Sequence, residues 1–221
     1  MPQYLKLVLI RHGESQGNTR GCLEGQQSTP LSAKGQQQAQ QLATYLQNQP
    51  RPTQLYSSPL QRAMQTAQYL ASMVGCLLQL DPNLQELHPG VFQGLTWAEA
   101  SEQYPQLCAA LIETVDYRPI PGAESPTASY QRACDWYQCL WQRHGPGEVI
   151  WVVSHGGFMQ QLIRVILGCD RSWQISIHHT GLFEFWVLSP ELTPSSQHNP
   201  EYRKIIKFND ISHLSLTENQ T

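Results

Sequence analysis

Apolar residues follow two rhythms along this chain. Leu5–Ile10 is an unbroken apolar run with one lysine, rich in β-formers, and predicts a strand buried on both faces. Val149–Val153 has the same character, and shorter runs at Gln54–Ser57, Leu77–Leu80, Gln174–Ile177, Leu182–Leu188 and Tyr202–Phe208 predict further strands. Between them the spacing changes to that of a helix. Ala39, Leu42, Ala43 and Leu46 fall on one face and predict a helix over Ser32–Leu46. Leu60, Ala63, Met64, Ala67, Ala71 and Val74 do the same after Ser58-Pro59, read as the cap and first residue of a helix. A third helix is expected over Thr127–Arg143 and a fourth over Phe158–Leu167. Residues 81–126 are broken by Pro, Gly and acidic side chains, with short helical patterns near Thr96–Gln103 and Gln106–Val115.

Strands alternating with helices predict an α/β fold: a three-layer α/β/α sandwich with a mostly parallel central sheet. The 81–126 segment is read as a helical excursion over the site rather than as a second domain. Residues 1–214 are expected to form one domain. A Pro/Ser-rich connection is expected at Thr193–Pro200, and a polar tail at 215–221. In such sheets ligands bind beyond the C-terminal strand ends. That rule brings together three loops: R-H-G-E-S after the first strand, S-S-P-L-Q-R after the second, and S-H-G-G after the Val149 strand.

Composition narrows the partners. The net charge is −3 and no basic run exists to neutralise a nucleic-acid backbone, so a nucleic-acid partner is not expected. No run reaches the ~18 apolar residues of a membrane span, and the start of the chain reads as a core strand, not a signal peptide. The six cysteines include no C-x-x-C pair, which argues against a metal framework and for reduced thiols in the cytoplasm. No cofactor is expected. A homodimer is the common assembly for a soluble enzyme of this kind.

The loops carry chemistry suited to a small anion. Arg11 can fork two N–H donors onto phosphate oxygens beside His12, Ser15 and Asn18. Ser154-His155-Gly156-Gly157 repeats the layout of strand, His, Gly and helix, and the Gly156 N–H would lie near a helix N-terminus, where an anion is favoured. Arg62 falls early in its helix, again near an N-terminus. Glu86 lies in a loop, where a carboxylate is ordinarily solvated.

These segments together resemble the histidine phosphatase superfamily, the group that includes the cofactor-dependent phosphoglycerate mutases. The matching stretches are L-V-L-I-R-H-G-E-S-x-x-N at 7–18, P-L-S-x-x-G at 30–35, S-S-P-L-x-R-A-x-Q-T-A at 57–67 and L-x-E-L-x-x-G-x-F-x-G at 84–94. P-G-A-E-S at 121–125, V-V-S-H-G-G at 152–157 and F-N-D-x-x-H-L at 208–214 extend the likeness over nearly the whole chain. The resemblance implies that His12 attacks phosphorus and becomes a phosphohistidine. It implies that Arg11, Arg62, His155 and Asn18 hold the phosphoryl oxygens, with Ser15 and Gly156 among the substrate contacts. Glu86 would protonate the leaving oxygen and then take a proton from water. No metal is needed, because Arg and His cations stand in its place.

Within that family the mutases resemble E-R-H-Y-G at the acid/base Glu. Here the stretch is Glu86-Leu87-His88-Pro89-Gly90, so the Arg and Tyr that would hold a carboxylate are absent. The expectation is therefore a phosphatase of small phosphomonoesters, of the sugar phosphate or bisphosphate, phosphoserine or phosphoglycerate type. A 2,3-bisphosphoglycerate-dependent phosphoglycerate mutase is the alternative, and a silent phosphate-sensing or partner-binding protein is a third reading. Glu24 is expected at the pocket rim, contacting a sugar hydroxyl or an amine, or else solvated. His88 is expected to contact a substrate acid group or to cap its loop. His178 and His179, as strand neighbours, should point opposite ways rather than share a metal.

Overall fold

The computed structural model describes residues 3–114, 116–169, 171, 173–189 and 200–215. Its sheet holds six strands: β1 (Leu5–Arg11), β2 (Gln54–Ser57), β3 (Leu78–Leu80), β4 (Val149–Ser154), β5 (Leu182–Val187) and β6 (Arg203–Asp210). They lie in the order β3-β2-β4-β1-β5-β6. The β3–β2, β2–β4 and β4–β1 pairings are parallel, and β5 runs antiparallel to both of its neighbours. The two apolar runs of the sequence, β1 and β4, are therefore the central strands. Both their faces are covered, which is why they read as continuous rather than alternating.

Each face carries its own core. On one side α2 (Ala33–Leu46) and α3 (Gln61–Val74) bury Leu42, Ala43, Leu46, Ala63, Ala67, Leu70 and Val74 against Val8, Ile10, Leu55, Trp151 and Val153. On the other, α6 (Pro126–Arg143) and α7 (Gly156–Leu167) bury Ala133, Trp136, Leu140, Phe158, Met159 and Leu162 against Leu5, Leu7, Leu9, Ile150 and Val152. The odd and even residues of β1 thus feed opposite layers. Ser32 caps α2, its hydroxyl accepting from the Gly35 N–H at 3.0 Å, a bond of the kind that contributes about 1 kcal/mol.

The excursion contains α4 (Trp97–Gln103) and α5 (Pro105–Ile112), which pack on a small core of Phe92, Ala100 and Cys108. Its ends are tied together, Val91 N–H donating to Pro121 O and Glu124 N–H to His88 O. It is also tied to the loop after β1, through Leu23 N–H to Leu95 O and Gly94 N–H to Leu23 O, both 2.8 Å. That loop includes α1 (Gln16–Thr19), and the chain's last described element is α8 (Ser212–Ser215).

Two expected elements differ. The Ser58-Pro59 helix starts later, at Gln61, because the Ser58 hydroxyl accepts from Leu60 N–H and bonds His155, leaving Ser58 outside the helix. Gln174–Ile177 is irregular rather than a strand; it has no ladder partner, and Ile177 O accepts from Arg11 instead. The connection expected at Thr193–Pro200 lies outside the described residues except at Pro200, as does the tail beyond Ser215. Among the described residues no helix is long and apolar enough to cross a membrane.

Candidate active site

Parallel register sets the site. Arg11 is level with Ser154 across the β1–β4 pair, and Ser57 with Val153 across β2–β4. Each ladder continues one residue past its strand, His12 N–H donating to Ser154 O and Ser58 N–H to Val153 O, both at 3.0 Å. His12, His155 and Ser58 therefore leave three adjacent strands at one edge. The two imidazole centroids stand 4.9 Å apart.

The backbone around His12 is tightly held. Gly13 N–H donates to Thr66 Oγ1 at 3.1 Å and Glu14 N–H to Gln38 Oε1 at 2.9 Å. A side chain at Gly13 would begin 2.5 Å from the carbonyl of Gly35, so glycine is required for close contact with α2. Thr180, buried and at φ +56°, aims its N–H at the carbonyls of Arg11 (3.0 Å) and His12 (3.3 Å).

The His12 ring is fixed at both nitrogens. Nδ1 lies 2.7 Å from Gly13 O, and Arg62 Nε lies 3.2 Å from Nε2. A carbonyl only accepts and a guanidinium only donates, so the proton is on Nδ1 and the lone pair on Nε2. Burial pushes the His12 pKa well below its ordinary value; His155, Arg62 and Arg11 act in the same direction, against the bond to Gly13. The imidazole is neutral at neutral pH, as a nucleophile must be.

His155 is also buried, and its pKa is held well below the ordinary value, first by burial and then by Arg62, Arg11 and Arg132. Its Nε2 meets Ser58 Oγ at 2.8 Å, while Ser58 Oγ accepts from Leu60 N–H. Where the Ser58 hydroxyl donates to Nε2, the ring proton sits on Nδ1, a buried atom with no protein partner. Arg11 Nε is a buried donor without a partner, while the Arg11 Nη1 group donates to Ile177 O.

Arg62 is 1% exposed and every branch of its guanidinium is engaged. Nη1 donates to Gln27 O (2.6 Å), Nη2 to Gly25 O (2.8 Å) and Nε to His12, with Glu24 Oε2 3.8 Å from Nε. Glu86 sits at the start of α7, its carboxylate accepting from the N–H groups of Gly157 (3.1 Å), Phe158 (2.9 Å) and Leu87 (2.8 Å). The helix N-terminus foreseen as an anion site is thus filled by the protein's own carboxylate, one residue beyond Gly156.

Arg11, His12, Asn18, Glu24, Arg62 and Glu86 line one cleft of about 250 Å³, with Gly157 and with Cys22, Leu23, Leu87 and Pro89. Among the described residues no group of three or more His, Cys, Asp and Glu side chains is placed to hold a metal ion.

Two expected contacts, Glu24 and Ser15, are placed differently, and His88 takes the loop-capping role of its two alternatives. Glu24 is not at the rim but 5% exposed. Ser15 is turned away from the cleft: its hydroxyl caps α1, accepting from Asn18 N–H, and donates to Glu24 Oε2 at 2.6 Å. His88 closes its own loop, Nδ1 accepting from Gly90 N–H at 3.0 Å, and does not line the cleft. The histidine pair does diverge, His178 bonding Asn209 while His179 Nε2 donates to Asn18 Oδ1 at 2.9 Å. His179 lies 5.9 Å from His12, centroid to centroid, and sequence reasoning gave it no role here. Ser58 was read only as a cap. Its place beside His155 follows from register, which spacing within one segment does not reveal.

The family model that matches, the histidine phosphatase superfamily (branch 1), covers residues 7–187. The chain belongs to the histidine phosphatase superfamily. Within it, the chain is 35% identical over 159 residues to the metal-independent phosphoserine phosphatase of Arabidopsis thaliana, a match over 71% of this chain and 66% of that protein, just under two thirds of its length. It is 37% identical to phosphoglycerate mutase-like protein 4 of the same plant, over 72% of this chain and 70% of that one. The crystal structure of the alpha-ribazole phosphatase from Shigella flexneri superposes with a TM-score of 0.77 at 25% identity, covering 94% of this chain and 97% of the other. This member of the superfamily shares the α/β fold of such neighbours.

Proposed function

We propose that this histidine phosphatase hydrolyses small phosphomonoesters in two displacements on His12, with no metal. One observation carries the reading: a neutral imidazole, its Nδ1 clamped and its Nε2 lone pair aimed at Arg62, shares a cleft with Arg11 and Glu86. In the first step Nε2 attacks phosphorus. The P–N bond forms, the P–O ester bond breaks, and the leaving oxygen takes a proton from Glu86. In the second step a water oxygen attacks phosphorus as its proton passes to Glu86, the P–N bond breaks, and phosphate leaves.

Charge spreads over the phosphoryl oxygens in both steps. Arg11 Nε–H and His155 Nδ1–H, buried and without partners, are donors that a phosphoryl group satisfies. Arg62, Asn18 and the Gly156 N–H complete the cradle. Glu86 now occupies the neighbouring N–H groups of α7, so substrate phosphate competes with it there and its release toward the leaving oxygen accompanies binding. Ser15 and Glu24 act on the cradle through Asn18 and Arg62. The cytoplasm is the compartment we propose for this protein.

The test is hydrolysis of an aryl phosphate with His12→Ala as control, and acid-labile phosphate trapped on His12 after a rapid quench. Activity lost in the variant and unchanged by EDTA is expected. Equal inactivity of both proteins across a broad ester panel would leave a phosphate-binding protein without turnover, and strong EDTA inhibition would overturn the metal-free route.

A further inference from the structure

The cleft carries an acid where a substrate-binding pocket for anions has little use for one. Glu24 is buried yet lines the cleft. Its Oε2 accepts from Ser15 Oγ (2.6 Å) and Asn18 Nδ2 (2.9 Å), and its Oε1 accepts from Thr29 Oγ1. The chain makes room for it, since a side chain at Gly17 would begin 2.2 Å from Oε1. Three neutral donors and the Arg62 guanidinium are therefore arranged to keep a carboxylate here.

The charges lining this cleft are two arginines, Arg11 and Arg62, and the carboxylate of Glu24, since Glu86 as the acid holds a proton while an ester is bound. The phosphoryl group itself calls on both arginines. The uncharged part of the lining, left for the alcohol portion of an ester, includes Cys22, Leu23, Leu87 and Pro89, with Leu23 exposed. No Lys or third Arg is among the residues that line it, and His88 is turned to Gly90. A second anionic group on the substrate would meet the Glu24 carboxylate and no cation of its own.

We infer that Glu24 sets the substrate class: esters whose alcohol portion is neutral or cationic, such as polyol, sugar or amino-alcohol monophosphates, in preference to esters that carry a carboxylate or a second phosphate. The inference rests on the phosphatase reading and narrows it. Glu24 acts by repelling a negative group on the alcohol portion, while the apolar wall accepts its carbon face.

The test is kcat/KM on matched pairs that differ at one carboxylate: glycerol 3-phosphate against 3-phosphoglycerate, and phosphoethanolamine against phosphoserine. The first of each pair is expected to be about tenfold better or more, the effect of one like charge a few ångströms away in a partly solvated cleft. Glu24→Gln is expected to bring each ratio severalfold nearer to one. The ratio is taken within one protein, so lost folded fraction or basal rate cancels. A wild-type preference for the acid esters overturns the inference even if the variant does not fold, and ratios that Glu24→Gln leaves unchanged overturn the role of Glu24. The phosphatase reading is tested separately, by the aryl phosphate and His12→Ala.

Discussion

The Nε–H of Arg62 donates to Nε2 of His12 at 3.2 Å, so the atom proposed to attack phosphorus is held by the guanidinium proposed to receive the phosphoryl oxygens. The same side chain is pinned by Gly25 O and Gln27 O, which aims it without freedom to rotate. Lysine carries the charge but cannot reach three acceptors in one plane. Arg62→Lys should lower kcat about a hundredfold, the usual loss for one preorganised donor. Steady-state kinetics on an aryl phosphate measure it, and a fall of less than fivefold would mean that the fork geometry is not used.

A Ser58 hydroxyl that donates to Nε2 of His155 holds the ring proton on Nδ1, and this is the arrangement the phosphatase proposal uses. Ser58→Ala removes the donor to Nε2, and the ring can then place its proton on either nitrogen. About half the molecules would present Nδ1 without a proton if the two tautomers were equal in energy, and the ring would also lose its anchor. A tenfold or greater loss of kcat is expected with a nearly unchanged thermal midpoint, while Ser58→Thr, which keeps the hydroxyl, should retain most activity. If Ser58→Ala and Ser58→Thr behave alike, the hydroxyl has no such role.

Much of this was legible in the sequence because it depends on local order. The burial of β1 and β4, the helical faces of α2 and α3, and the presence of His12 and His155 just past two strands follow from runs and spacings. What was not legible depends on side chains meeting across elements. Glu24 reads as a loop acid until Ser15, Asn18 and Thr29 are seen to surround it. Ser58 reads as a helix cap until register places it beside His155. His179 lies in a segment that looked like strand, yet the turn at Thr180, with a positive φ unusual for a β-branched residue, brings it to Asn18.

Gly157 supplies a further prediction. A side chain there would begin 2.7 Å from Glu86 Oε1 and 3.2 Å from Leu87. Gly157→Ala must therefore push the Glu86 carboxylate off the start of α7. Alanine suits a helix better than glycine, by up to about 1 kcal/mol, so stability should not fall much. Activity should fall with the leaving group: severalfold or more for alkyl phosphates, whose departing oxygen needs a proton, and little for p-nitrophenyl phosphate, whose phenolate leaves unaided. Equal losses on both substrates would argue against Glu86 as the acid.

Acid stability follows from the histidines. Burial lowers the pKa of His12 and His155 well below the ordinary value and those of His179 and His213 to about 4. For His213, Asp210 opposes the shift and Lys207 adds to it. In the unfolded chain each titrates near 6.5, so below that pH the unfolded state binds protons that the native state refuses. Stability is thus complete above about 6.5 and is lost as pH falls toward 4, at no more than about 1.4 kcal/mol per pH unit for each histidine. The carboxylates held low, Glu14, Glu99, Glu201 and Asp210, act the same way only below their ordinary values, 4.5 for Glu and 3.8 for Asp. Between pH 6.5 and 4.5 the slope therefore belongs mainly to histidine. His213 does not line the cleft and can be tested by unfolding: its Nε2 bonds Thr180 Oγ1 at 2.9 Å and its Nδ1 is buried without a partner. His213→Gln should cost stability at pH 7 yet flatten the decline between pH 6 and 5 by about 1.4 kcal/mol per unit, measured by urea unfolding at each pH. An unchanged slope in the variant would show that His213 takes up its proton in the folded protein as readily as in the unfolded chain.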